Sequence, residues 1–264
     1  MTESVKTQGE LLFERYLETQ NLPFEFEKRH EGKSKRPDYT LSWQERTIIL
    51  DVKDFAPKSL GAGYGAYDPY PILREKIDQG RQKFREYKEF PCALVLYNSG
   101  NPLAMLHLPE IMLGSMYGDS GFEIPFNTST GIGDTSQLQP AFLGRGKMLR
   151  SNKHSPQNTT ISALVTLSVV RPHYQLFLEK ALAEPSRHIE ECEAELRSAI
   201  PDYDREREIP RVIVWHSAVA RMEFPENLFC GAYDSHFGVS EQLDGTVVQS
   251  VTYRGSCLPS SIKV

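Results

Sequence analysis

The residues best placed to do chemistry sit in one short stretch, RPDYTLSWQERTIILDVKDF, residues 36–55. An apolar run, Thr47-Ile48-Ile49-Leu50, ends on Asp51-Val52-Lys53 rather than on turn residues. A second acid, Asp38, stands 13 residues upstream behind Pro37. In a strand, residues i and i+2 project from one face, so Asp51 and Lys53 point together while Leu50 and Val52 point into a core. Gln44-Glu45 reads as the turn between two strands, and antiparallel pairing around it sets Asp38 opposite the end of the second, where Asp51 lies. Two carboxylates and an ammonium then converge at one edge of a small sheet. Two hard oxygen ligands, some waters and a backbone carbonyl are what Mg²⁺ accepts. A lysine beside such an ion can orient or deprotonate an attacking water, or stabilise developing negative charge. That combination suits hydrolysis of a phosphodiester.

The elements that must position these groups follow from periodicity. Residues 9–20 carry Leu12, Phe13, Tyr16 and Leu17 at helical spacing. Residues 23–30 alternate as a strand, and a polar loop over 31–36 precedes strands over 37–43 and 46–55. Glycines and prolines make 57–71 a loop, 72–87 has one apolar helical face, and Pro91 opens the buried strand CALVLYN. The order is αβββαβ. Further on, 109–116 reads as a short helix and 117–158, rich in Gly, Ser, Thr, Asn and Asp, as mostly loop. TISALVTLSVV at 160–170 is the strongest strand signal, 172–199 is helical in two pieces broken near Pro185, and 210–216 is a strand. The last 15 residues show no strong pattern and read as a loosely docked tail. No linker separates two cores, so 1–264 is expected to be one α/β domain with a mixed central sheet, a core at 8–98 and an α/β elaboration at 99–264.

Pro37-Asp38 followed by Asp51-Val52-Lys53 resembles the signature of the PD-(D/E)XK nuclease superfamily: an acid after proline, then D/E-x-K on the next strand. GELLFERYLETQNL is similar to the first helix of archaeal Holliday-junction resolvases. The resemblance covers 8–98, about a third of the chain. It implies a restriction-endonuclease-like core and a Mg²⁺- or Mn²⁺-dependent nuclease acting on nucleic acid, usually DNA, leaving a 5′-phosphate, with endonuclease or exonuclease action left open. On it, Asp38, Asp51 and the Val52 carbonyl hold the metal, and Lys53 positions the water. Glu10, which stacks with Phe13 and Leu17, binds a second metal or a metal-bound water, with Glu14 as the alternative. Gln79 or Gln82 fills the glutamine position of the following helix. Many related enzymes cut as dimers, so a homodimer or a partner protein is compatible with it. Some members have lost catalytic groups, which leaves a non-catalytic scaffold binding nucleic acid or protein as the second reading.

Composition narrows the remaining classes. Apolar residues make up 39% and charged residues 25%, as in soluble globular chains, and no apolar run approaches a membrane span. The N-terminus has no apolar signal region, and the four cysteines are far apart, so reduced thiols in a cytoplasmic protein are expected. The seven histidines are scattered, with no zinc-like cluster. A net charge of −5 gives no general argument for nucleic acid, but Lys33, Lys35 and Arg36 crowd the loop before Asp38 and could contact phosphates. Tyr64, in the glycine-rich stretch 59–70, could stack on a base. The glycines there are not a phosphate-binding P-loop, because no Gly-Lys-Ser/Thr follows. Phe224, Leu228, Phe229 and Tyr233 are expected to pin 223–238 to the core as a cap.

Overall fold

The computed structural model of the protein describes residues 5–58, 67–124, 126–127, 129, 132–133, 136, 139–150, 155–185, 187–241 and 247–255. The N-terminal part runs α1 (Gln8–Thr19), β1 (Phe24–Phe26), β2 (Tyr39–Trp43), β3 (Arg46–Phe55), α2 (Tyr70–Phe84) and β4 (Cys92–Asn98), the order αβββαβ expected from periodicity. It continues with α3 (Pro109–Tyr117), β5 (Gly118–Glu123), β6 (Phe126–Asn127), β7 (Ile132–Gly133), β8 (Gln139–Arg145) and β9 (Ala163–Val170). Then follow α4 (Pro172–Ala183), α5 (Ile189–Ala199), β10 (Ile209–His216), β11 (Ser235–Glu241) and β12 (Val247–Gly255). The architecture is α/β.

A mixed sheet of eight strands, ordered β1-β2-β3-β4-β9-β10-β11-β12, runs through the fold. β1, β2 and β3 pair antiparallel, and β3, β4 and β9 pair parallel. The β2–β3 register is Tyr39↔Leu50 through Trp43↔Arg46. Its two-residue turn places Gln44 at φ 46° and Glu45 at φ 64°, the positive values that match a hairpin's twist. Period-2 alternation sends Ile48, Leu50 and Val52 into a cluster with Phe13, Tyr16 and Leu17 of α1. Ile49 and Phe55 enter the opposite cluster, with Leu73, Ile77 and Phe84 of α2. Asp51 and Lys53 therefore belong to the α2 face.

α1 is anchored by an acid from the same strand. Asp54 faces the other way from Lys53 and accepts from the Gly9 N–H (3.0 Å) and the Thr7 hydroxyl (3.2 Å). A carboxylate at a helix N-terminus meets unpaired N–H groups and the positive end of the dipole. A Cβ at Gly9 would lie 2.1 Å from Asp54 Oδ1, so only glycine admits this approach. Asp54→Ala is expected to destabilise the protein by about 1–2 kcal/mol, checked by urea unfolding.

The second half departs from expectation in three places. The stretch 117–158, expected as mostly loop, contains β5 and β8, paired antiparallel from Gly118↔Arg145 to Glu123↔Gln139, and the short pair β6–β7. Backbone pairing there does not depend on apolar alternation. Of the expected loose tail, 250–255 belong to β12, which pairs antiparallel with β11 from Ser235↔Gly255 to Glu241↔Val247, and 256–264 lie outside the described residues. The expected cap buries Phe224, Leu228 and Phe229, but its end belongs to β11. The chain divides into two compact units, Met1–Leu167 with Val212–Val264, and Ser168–Arg211. The second unit holds α4 and α5, with the break between them at the expected place. Among the described residues no helix is long and apolar enough to cross a membrane.

Candidate functional site

The register that pairs Tyr39 with Leu50 puts Asp38, just before β2, beside the Asp51–Val52 step of β3. Asp38 Oδ2 accepts the Val52 N–H at 2.7 Å. Asp51 is fully buried. Lys53 Nζ forms an ion pair with Asp51 Oδ2 at 2.5 Å. The expected convergence of Asp38, Asp51 and Lys53 is present.

A fourth member joins them. Lys83 Nζ of α2 bridges the acids, 2.5 Å from Asp38 Oδ1 and also bonded to Asp51 Oδ1. Its position follows from how α2 docks. The buried positions Leu73, Ile77, Gly80 and Phe84 turn one helical face to the sheet. A Cβ at Gly80 would lie 2.9 Å from Leu94 Cδ1, so the missing side chain lets the helix come close to β4. Leu94 is the register partner of Asp51. Lys83, three residues after Gly80 and on the same helical row, thereby reaches the carboxylates.

Burial first, and the Asp38 charge second, push the Asp51 carboxyl up to about 6, against the pull of Lys53 and Lys83. Burial also works against ionisation of Asp38, but the Asp51 carboxyl, Lys83 and the Val52 N–H outweigh it and hold Asp38 below its ordinary value. Lys83 is held above the usual lysine value because the two acids overcome the effect of its own burial. One buried acid thus keeps its proton more tightly than the other, with two ammonium groups beside them.

Other expected residues lie elsewhere or in other roles. The Glu10 carboxylate is not brought to the acids. It accepts the Thr7 N–H at 2.6 Å while the Thr7 hydroxyl accepts the Glu10 N–H, a capping box at the start of α1. Its alternative, Glu14, takes Lys6 (2.5 Å) and the Tyr39 hydroxyl (3.1 Å). Gln79 is exposed and donates to Glu75 at 3.0 Å, and Gln82 is exposed. Lys33 pairs with Glu89, and the Lys35 amine donates to the Gln82 carbonyl at 2.8 Å. These contacts seat the basic loop on the end of α2, with Arg36 exposed beside Asp38. Tyr64 lies outside the described residues.

The donor set can be tested against a divalent cation. Among the described residues no group of three or more His, Cys, Asp or Glu is arranged to hold a metal. Two carboxylates remain, Asp38 and buried Asp51, with the Lys53 ammonium 2.5 Å from Asp51 Oδ2. Mg²⁺ is commonly held by one or two carboxylates, with waters and substrate phosphates completing its shell, so the acids fit such an ion and do not form an all-protein cage. Searches of protein-family models, curated proteins and solved structures return no match to this chain.

Proposed function

We propose that this protein is a divalent-metal-dependent nuclease with a restriction-endonuclease-like core, acting on DNA. The observation that carries the proposal is the meeting of Asp38 and buried Asp51 with Lys53 at the hairpin's end, on an αβββαβ element order. Asp38 and Asp51 would hold Mg²⁺ or Mn²⁺, with the Val52 carbonyl as a backbone ligand. Such an ion, when bound, polarises the phosphoryl oxygen and makes a bound water more acidic. Lys53 orients the attacking water and balances charge that grows on the phosphate oxygens. Burial of Asp51 strengthens these interactions, because the local dielectric is low. The basic loop before Asp38 offers Arg36 to the flanking phosphate. Incubation of end-labelled DNA with Mg²⁺ or Mn²⁺, with EDTA as blank, tests the activity. Products that a ligase rejoins carry the expected 5′-phosphate, whereas no cleavage with either metal argues against the proposal.

Protonation of Asp51 gives a second signature. Its folded pKa, about 6, lies above the ordinary 3.8, so the metal-free native state binds the proton more tightly than the unfolded chain. In EDTA this acid's contribution therefore falls as pH rises between those values. A cation needs the carboxylate and must displace that proton. The Tm gain from Mn²⁺ is expected to be small near pH 5 and to grow through about pH 6, read by thermal unfolding across a pH series.

One observation favours the scaffold reading. Lys83 already bridges both acids, so the charges are compensated without any ion. A scaffold of this kind would gain no thermal stability from Mg²⁺ or Mn²⁺ at any pH.

A further inference from the structure

We propose that the outward face of α2 is a second, non-catalytic site, a groove that holds a DNA phosphodiester backbone. Around the helix, Arg81 and Arg85 lie roughly 160–200° from Lys83, so they point away from the acids. Lys88 follows just past the helix end. These three, with Gln82, form one wall of a groove of about 300 Å³ whose other wall is the loop 158–160. A wider hollow of about 570 Å³ shares Gln82, Arg85 and Lys88 and adds Lys35 and Glu86.

The charge state of this surface points to an anionic ligand. The chain is acidic overall, with 35 Asp and Glu against 30 Lys and Arg. On α4 and α5, Lys180, Arg187 and Arg197 all meet glutamates. Arg81, Arg85 and Lys88 are exposed and meet no carboxylate among the described residues. The one carboxylate in the hollow, Glu86, is occupied. It accepts the Ser34 hydroxyl and the Ser34 and Lys35 N–H groups, which hold it below the ordinary glutamate value. Across the groove, the Thr159 and Thr160 hydroxyls have no hydrogen-bond partner among the described residues. Guanidinium forks, an ammonium and hydroxyl donors lining a concave track are the groups that bind successive phosphates without reading bases. Lys35 links the hollow to Arg36 and Asp38, so a strand lying in it leads toward the acids. Only that direction rests on the nuclease reading; the binding does not.

The test is fluorescence anisotropy with a labelled DNA duplex in EDTA, where no metal is available, over a series of salt concentrations. The variants are Arg81→Ala/Arg85→Ala/Lys88→Ala together and, as reference, Asp51→Asn. The three positions are exposed, and Arg81, the one inside α2, gives way to a strong helix former, so the combined variant is expected to fold as wild type, checked by thermal unfolding. Removing three phosphate contacts is expected to weaken binding about tenfold or more at low salt and to flatten the slope of log K against log salt by roughly 2–3. Asp51→Asn is expected to bind at least as well as wild type. Equal affinity and slope for wild type and the combined variant would overturn the groove, as would no binding by wild type. A wild type that binds through these cations yet never cuts supports the groove and removes the nuclease reading. One that cuts while the combined variant binds unchanged removes the groove alone.

Discussion

Asp51→Asn is expected to lose metal-dependent DNA cleavage by about three orders of magnitude or more, while its thermal unfolding stays cooperative. The substitution keeps the shape of a fully buried side chain but removes one of the two anionic oxygen donors that the fold brings together. Asp38 alone would have to hold the cation beside two ammonium groups, Lys53 and Lys83, with half of the opposing charge gone. Metal affinity and rate should therefore fall together. Initial rates over a Mn²⁺ titration separate the two: a loss confined to affinity would be recovered at high Mn²⁺, whereas no recovery is expected. Asp38 keeps its contacts to Lys83 and the Val52 N–H in this variant, so it remains partnered.

Lys83→Met is expected to have the largest effect on stability. It leaves Asp51, fully buried, and Asp38, 16% exposed, facing each other with Lys53 as the remaining cation. Breaking a buried ion pair from one side strands its partner's charge, at a cost of about 3–5 kcal/mol. In EDTA the variant should unfold at correspondingly lower urea. Asp51 should relieve part of the loss by holding its proton more firmly, so the defect should be smaller at low pH. Divalent cations should restore stability, because the ion takes over the charge compensation that Lys83 provides. The nuclease and scaffold readings part at this point. Restoration by Mg²⁺ or Mn²⁺ supports a metal site between the acids, whereas a defect that no divalent cation repairs supports an acid pair built for Lys83 alone.

The hairpin and its two acids were legible because their signals are local. Alternation fixes which side chains share a face, and a two-residue turn fixes the register that brings Asp38 to Asp51. Lys83 was not legible, because its reach depends on α2 approaching β4 at Gly80 and Leu94, a packing event between distant segments. A signal was present in hindsight: the glycine at 80 within an otherwise apolar helical face, with a lysine three residues on. The resemblance assigns Glu10 to the metal, although Thr7-Gln8-Gly9-Glu10 also has the spacing of a capping box, and that local bond is the one formed. Asp54 carries no such local signal, because its partner, the start of α1, lies 45 residues away in the chain. β5, β8 and β12 were hidden for a different reason. Gly118-Asp119-Ser120-Gly121 in β5, Gln139-Pro140 in β8 and Gln249-Ser250 in β12 interrupt the hydrophobic period that marks a strand.

The most direct test of the central claim is cleavage of supercoiled plasmid by wild type, Asp51→Ala and Lys53→Ala, side by side in Mg²⁺, Mn²⁺ and EDTA. Wild type should nick or linearise the plasmid with metal and leave it intact in EDTA, and both variants should be inactive under every condition. Cleavage that persists in EDTA, or that survives loss of Asp51, would contradict the account, because the reaction would then run without the carboxylate on which the proposed metal site depends.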